Sequence, residues 1–301
     1  MTLSIIICTY NRKKYVGETL LRLANNRYNG EWELLLIDNN STDSTASICK
    51  TFAAQHPNVP FRYFVETHQG LSYARNRGIK EAQGDWFVFL DDDAFVGENY
   101  LERLSQYIQQ IPEMDAFGGR IYPLFEDGIT PSWLSKWSAS WLSAIDKGDE
   151  VCIFTKDYPI GANMGFSRKT ANQCGLFNTD LGRSGKNLIG GEEKDYFNRI
   201  KALNATVYYL PDIAVEHCIP PSRTTDEYIC RLGLGVGQSE RQRTLAISKT
   251  EYSKRLFLEA VKWAGTMILW LRYLICFQPQ KGNKLISFRT KVTAGLLNLA
   301  Q

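Results

Sequence analysis

Residues 86–93 read Trp86-Phe87-Val88-Phe89-Leu90-Asp91-Asp92-Asp93, five consecutive apolar residues ending in three carboxylates. A short, unbroken apolar run describes a strand buried on both faces, as in a parallel sheet covered by helices. Three adjacent carboxylates at such a strand end repel one another at low dielectric, so they stay ionised together only beside a cation or several hydrogen-bond donors. Hard oxygen ligands suit Mg²⁺ or Mn²⁺, ions that typically bring a diphosphate with them. The plain alternative is a solvated acidic turn, and the position directly after a buried strand weighs against it.

The same alternation extends outward from this strand. Apolar runs at 3–8, 32–37 and 61–65 are separated by helix-period segments: Val16, Leu20, Leu23 and Ala24 share one face, a helix is expected over 43–54 with Ser41 or Thr42 as its N-cap, and another near 71–83. Strands alternating with helices give an α/β fold with a mostly parallel, Rossmann-like sheet flanked by helices. Ligands of such sheets bind at the carboxyl ends of the strands. Polar residues stand there in this chain: Thr9, Tyr10 and Asn11, then Asp38, Asn39 and Asn40, then the Asp91–Asp93 triplet. Between 114 and 220 the pattern is mixed, with strand-like runs at 116–122, 160–166, 206–210 and 213–215 and a helix expected over 192–203. Beyond Pro220 and Pro221 strand signals cease and helices are expected at 224–246, 251–277 and 284–299, which sets a boundary near 220.

The chain has 301 residues, 44% of them hydrophobic and 22% charged, which excludes disordered, collagen-like and low-complexity classes. Its net charge of +3 hides an asymmetry. Residues 231–301 carry twelve Lys or Arg against three Glu and no Asp, whereas residues 1–230 are net acidic. Seven cysteines without CxxC or CxC spacing indicate neither a zinc site nor a closed disulfide framework and fit a reducing cytoplasm. The N-terminus has no basic segment before its apolar run and reads as a strand rather than a signal peptide.

Individual side chains sharpen the picture. Asp38 at a strand end can accept hydrogen bonds from a base N–H or a ribose hydroxyl. A turn at Gly70 feeds a helix carrying Arg75 and Arg77, either of which can neutralise a phosphate or form a surface ion pair. Glu192 and Glu193 follow two glycines at a helix start, where backbone N–H groups favour negative charge. Residues 180–187 invite a P-loop reading that fails, because the motif needs Gly where Asp180 stands and Ser or Thr where Asn187 stands. A loop whose Arg183 and Lys186 touch donor phosphates on closing is the better expectation. Trp133, Trp137 and Trp141, four residues apart, are expected on one helical face, either as packing, as an acceptor-stacking surface or as a membrane contact.

Taken in order, Thr9-Tyr10-Asn11-Arg12, Asp38-Asn39-Asn40-Ser41-Thr42-Asp43, Gly70 with Ala74-Arg75-Asn76, Asp91-Asp92-Asp93, Gly161-Ala162-Asn163-Met164 and Gly191-Glu192-Glu193-Lys194-Asp195 with Arg199 resemble family 2 glycosyltransferases of the GT-A fold. The resemblance covers about residues 3–240 and is strongest to bacterial members that build polysaccharide or other surface glycans. It implies a nucleotide-binding half over about 1–113, an acceptor half over about 114–220, and a basic helical extension over 221–301. Thr9, Tyr10, Asn11, Asp38, Arg75, Asp91 and Asp92 would hold a nucleotide-diphosphate sugar, with Asp38 at the base. Asp93, Asp91 and His217 would meet a divalent cation, Mn²⁺ or Mg²⁺, and Arg223 the same diphosphate. Asn163 is expected against the acceptor, with Trp133 and Trp137. Glu193 corresponds to the catalytic base, where the family more often has Asp, and Glu192 is the other candidate.

The chemistry is coherent: an inverting transfer needs one carboxylate to take the acceptor hydroxyl's proton, and a metal to absorb charge on the leaving diphosphate. The expected acceptor is a glycan or a lipid-linked sugar. A haloacid-dehalogenase-like phosphohydrolase is the rival enzyme, although its aspartates usually sit on the first strand and are followed closely by Thr. A catalytically silent nucleotide-sugar or glycan-binding module is the other rival. In the tail, Phe257, Val261, Ala264, Ile268, Leu271 and Ile275 form an apolar stripe among basic residues. The uncharged run 263–271 is too short to span a bilayer, so the helix either lies on the inner membrane surface or packs on the catalytic domain. Nucleic acid is not an expected partner.

Overall fold

The computed structural model describes residues 1–182 and 190–299. Among them the strands are β1 Leu3–Thr9, β2 Trp32–Asp38, β3 Phe61–Val65, β4 Trp86–Asp91, β5 Ala94–Val96, β6 Ala116–Phe125, β7 Cys152–Ile153, β8 Met164–Ser167 and β9 Val207–Ile219. The helices are α1 Val16–Ala24, α2 Thr45–Gln55, α3 Leu71–Glu81, α4 Tyr100–Gln110, α5 Arg168–Cys174, α6 Glu192–Ala202, α7 Asp226–Ile247, α8 Lys249–Ile275 and α9 Pro279–Leu297. The chain divides into two compact units. The first comprises Met1–Pro123, Ser143–Asp180 and Glu192–Cys218; the second comprises Leu124–Leu142, Leu181–Gly191 and Ile219–Gln301.

In the first unit one sheet runs in the order β3-β2-β1-β4-β8-β6-β9-β5, with β7 beside β9. The strands β1 to β4 pair in parallel, while β8 joins β4 antiparallel and carries on to the antiparallel β6. Side chains alternate between two cores. Leu3, Ile5, Ile7, Leu34, Leu36, Val88 and Leu90 face α1, α2 and α4 on one side, and Ile6, Leu35, Ile37, Phe87 and Phe89 meet Ala74 of α3 and Tyr196 and Phe197 of α6 on the other. Each such side chain contributes about 1.5–3 kcal/mol by leaving water. Burial on both faces explains why these strands read as unbroken apolar runs, and it makes the α/β sheet with a helical C-terminal region the observed architecture.

The register decides where the chemistry gathers: Thr9 lies opposite Asp38 on β2, and Cys8 opposite Asp91 on β4. The carboxyl ends of three neighbouring strands therefore present Thr9, Asp38 and Asp91 side by side.

The structure corrects three local expectations. The runs 206–210 and 213–215 are one strand, β9, passing through Pro211 and through Asp212, whose exposed carboxylate takes the Tyr107 hydroxyl at 2.8 Å. Helix α2 begins at Thr45 without a cap from Ser41 or Thr42, because Ser41 Oγ accepts from Asn11 N–H and the Asp43 carboxylate accepts from Thr45 N–H. The three tryptophans do not share a helix. Ser138 Oγ accepts from the Ser135 N–H and lies within hydrogen-bonding reach of the Trp133 carbonyl, a local pattern that competes with helix formation.

In the second unit α7, α8 and α9 follow the sequence expectation closely. Helices α7 and α9 approach so tightly that a Cβ on Gly237 would overlap the Val292 carbonyl, and one on Gly295 the Leu234 carbonyl. Trp133, Leu142, Ile219, Ile229, Leu232, Phe288 and Val292 form its core. Trp133 and Trp141 stack at 6.0 Å and Trp141 lies 4.0 Å from Phe288, whereas Trp137 is exposed beneath Lys136. Among the described residues no helix is long and apolar enough to cross a membrane.

Candidate active site

At the end of β1 the chain turns through Asn11, a non-glycine residue in the left-handed region at φ 54°. Its amide oxygen accepts from Thr42 N–H at 2.8 Å, which ties the β1 turn to the loop after β2. Asp38, the last residue of β2, is buried; its Oδ1 accepts from Ser41 N–H at 2.7 Å and its Oδ2 from the Tyr63 hydroxyl at 2.6 Å. Burial and this bond to the carboxylate push the Tyr63 phenol pKa upward. Asn39 holds the loop before α3, donating to the Glu66 and His68 carbonyls and accepting from Gly70 N–H. Thr9 is buried, and Tyr10 is exposed.

The triplet lies where β4 gives way to β5. Asp92 and Asp93 are buried and the guanidinium of Arg12 bridges them, with Nε 3.3 Å from Asp92 Oδ1 and Nη2 3.2 Å from Asp93 Oδ2. Burial pushes the Asp92 carboxyl up to about 7 against the pull of Arg12, with Asp93 and Asp91 adding to the rise. His217 enters from β9, where it pairs with Ala94, and its Nε2 lies 3.0 Å from Asp93 Oδ1. One ligand atom each from Asp91, Asp93 and His217 lie within 4.8 Å of one another. Two hard oxygens and one imidazole nitrogen at this spacing fit Mn²⁺ or Mg²⁺.

A second charged group stands within electrostatic reach. Arg75, projecting from α3, is buried; its Nη1 donates to Glu192 Oε1 at 3.0 Å and its Nη2 to Glu193 Oε1 at 2.8 Å. The sequence places Arg75 against a donor phosphate; in this structure its charge is shared by two carboxylates of α6. Gly161 N–H donates to the same Glu193 oxygen at 2.9 Å, and a Cβ on Gly161 would overlap both Arg75 Nη2 and Glu193 Oε1. Glu193 keeps 20% side-chain exposure, whereas Glu192 is buried and its Oε2 has no hydrogen-bond partner among the described residues. Burial raises the Glu193 pKa, Arg75 opposes, and Glu192 and Asp91 add to the rise. The Cys8 thiol nearby is pushed up to about 12 by burial, against Arg75 and with Asp91 and Asp92 adding. It stays neutral and fills space.

Asn163 is fully buried and its amide is spent on packing: Nδ2 donates to the Arg120 and Ile213 carbonyls and Oδ1 accepts from the Tyr100 hydroxyl. The sequence places Asn163 against the acceptor; here its side chain is enclosed by these internal bonds. Trp133, Trp137 and Arg223 belong to the second unit, Arg223 in a short turn at Pro221–Arg223. Arg183 and Lys186 lie outside the described residues. Sequence reading assigned no role to Arg12, Tyr63 or Gly161. For Arg12 a signal existed, because a buried acidic cluster requires a cation and this one follows the first strand.

Residues 4–174 match the family model described as Glycosyl transferase family 2. Over 302 residues the chain is 24% identical to the succinoglycan biosynthesis protein ExoM of Rhizobium meliloti, covering 98% of this chain and 92% of that one. Over 130 residues it is 31% identical to a dolichyl N-acetyl-alpha-D-glucosaminyl phosphate 3-beta-D-2,3-diacetamido-2,3-dideoxy-beta-D-glucuronosyltransferase of Methanococcus voltae, 42% of this chain and 40% of that one. The chain spans about two fifths of the length of the first curated relatives it matches. Among solved structures, a mannosyltransferase of Pyrobaculum calidifontis in complex with GDP-Man and Mn²⁺ superimposes with a TM-score of 0.64 at 16% identity, over 99% of this chain and 88% of that one.

Proposed function

The chain belongs to glycosyl transferase family 2 and is a glycosyltransferase, and from that premise we propose that it performs a metal-dependent, inverting transfer of a sugar from a nucleotide-diphosphate donor to a hydroxyl of a glycan or lipid-linked acceptor. The observation that carries the reading is the pairing of an acidic cluster at the carboxyl end of β4 with a second acidic pair in the first turn of α6. Asp91, Asp93 and His217 offer a cation site, and Glu193 offers a mostly buried carboxylate within the field of Asp91.

Asp91, Asp93 and His217 would hold the cation, which when bound neutralises charge on the departing diphosphate. Asp38, fixed by Ser41 and Tyr63, recognises the base, and Thr9, Tyr10 and Asn11 line the nucleotide beside it. Glu193 takes the proton of the acceptor hydroxyl as the oxygen attacks the anomeric carbon. Its raised pKa makes it a stronger base than an ordinary carboxylate, while Arg75 and Gly161 N–H fix its orientation. Glu192 shares Arg75 and serves to position it, being more deeply buried than Glu193. A lipid-linked acceptor is supported by the name of the Methanococcus relative, and a polysaccharide role by that of the Rhizobium relative. The reading puts the protein in the cytoplasm, working at the inner membrane face.

A thermal-shift screen of UDP, GDP, CDP and dTDP, each with Mn²⁺ or with EDTA, on wild type and Asp93→Ala tests the donor site, since ligand binding to the folded state raises Tm. The expected result is a shift by one nucleotide that requires both metal and Asp93. Equal shifts with EDTA and in Asp93→Ala would overturn the metal-dependent reading.

A further inference from the structure

We propose that the outward face of α8 is a docking surface for an anionic lipid bilayer. A helix in a water-soluble domain ordinarily buries its apolar stripe and exposes its polar face. Helix α8 does the reverse. Phe257, Val261, Ile268, Leu271 and Ile275 share one face at spacings of three, four and seven residues and are 70%, 53%, 67%, 51% and 77% exposed. Leu258, Met267 and Leu274 widen that face, and Phe277, in the left-handed region at φ 55°, holds its ring out at the corner beyond it.

The opposite face is the one turned inward. Arg255 and Glu259 form a buried ion pair at 2.8 Å, Thr266 is buried, and the indoles of Trp263 and Trp270 donate to Thr293 and Asn283 of α9 at 2.9 Å each. Thus the two tryptophans anchor α8 to α9, and the stripe is left outward. Contiguous apolar surface of this kind marks an interaction site.

Charge selects the occupant. The exposed charged residues of α8 from Lys254 onward are Lys254, Lys262 and Arg272, and the nearest acid toward the N-terminus, Glu251, sits in the first turn 2.6 Å from Lys254. The twelve basic and three acidic residues of 231–301 extend the positive field around the helix. A basic amphipathic helix lying in the headgroup layer of anionic lipid requires this combination. The spacing also fits the seam of a coiled coil with a second copy, but the positions flanking that seam are Leu258, Gly265 and Arg272 on one side and Ala260, Met267 and Leu274 on the other. They offer Arg272 no carboxylate, and the apolar arc is wider than a two-position seam.

The test is co-sedimentation of the full chain with phosphatidylcholine vesicles containing about one quarter phosphatidylglycerol, compared with phosphatidylcholine alone. Wild type should partition onto the anionic vesicles, and several-fold less when NaCl is raised from about 0.1 M to about 0.5 M. Phe257→Ser with Ile268→Ser should lower the partition coefficient roughly tenfold or more. Lys262→Ser with Arg272→Ser should remove the preference for anionic lipid. Because these positions are exposed, Tm should hold in every variant. Equal partitioning of wild type and the Phe257/Ile268 variant overturns the proposal. So does a concentration-dependent dimer in light scattering, lost in that variant, without vesicle binding by wild type.

Discussion

Nη2 of Arg75 donates to Oε1 of Glu193 at 2.8 Å, joining helix α3 to the first turn of α6 across 118 positions of sequence. The same guanidinium holds Glu192, so one buried cation fixes two carboxylates that would otherwise repel each other. The Gly161 N–H shares Oε1 with Arg75. The orientation of the proposed base is therefore set by a side chain from α3 and a backbone group from the turn before β8.

Replacing Arg75 by Met leaves two carboxylates without their cation. Breaking a buried ion pair in this way costs about 3–5 kcal/mol, and urea denaturation should register a loss of that size. Arg75→Lys, which keeps charge but loses the two-pronged geometry, should lie between the variant and wild type.

Gly161→Ala places a methyl group where Arg75 and Glu193 now meet. A displacement of the base by about 1 Å costs on the order of 10²-fold in rate. Steady-state kinetics should show that fall in kcat with the nucleotide affinity retained, because Asp38 and the Asn11 turn are untouched.

Tyr63→Phe removes the hydroxyl that steadies Asp38. One hydrogen bond contributes about 0.5–1.5 kcal/mol net, so calorimetry should find donor nucleotide binding weakened about two- to tenfold. An unchanged affinity would separate Asp38 from base recognition.

The raised pKa of Glu193 has consequences of fixed sign for stability. A carboxyl with a higher pKa in the folded state holds its proton more tightly there, so stability is lost as pH rises from the ordinary carboxylate value through the folded one. Glu193→Gln escapes that loss. Relative to wild type, its denaturant midpoint should be higher at pH 7 than at pH 4, and the acid limb of wild-type kcat/KM should lie above the ordinary carboxylate range.

Much of the fold could be read from residues because β1, β2 and β4 are buried on both faces, so nothing interrupts their apolar runs. Reading failed where a local interaction broke the pattern. Pro211 and Asp212 split β9 into two apparent strands, and Ser135 with Ser138 kept the tryptophan segment out of a helix. At the site, the strand-end acids stood out because three carboxylates after an apolar run are costly without a cation. The partner of Arg75 did not, since a helix carrying an arginine gives no hint of acids more than a hundred residues away. Tyr63 was hidden likewise, being a strand aromatic whose hydroxyl becomes meaningful only once β3 is paired beside β2.

The most direct measurement is the turnover of Glu193→Gln beside its donor binding, with nucleoside diphosphate release as the rate and calorimetry as the affinity. Loss of a general base lowers the rate by about 10²–10⁴-fold. The account predicts a loss in that range with donor affinity retained. Turnover at the wild-type level in this variant would contradict it.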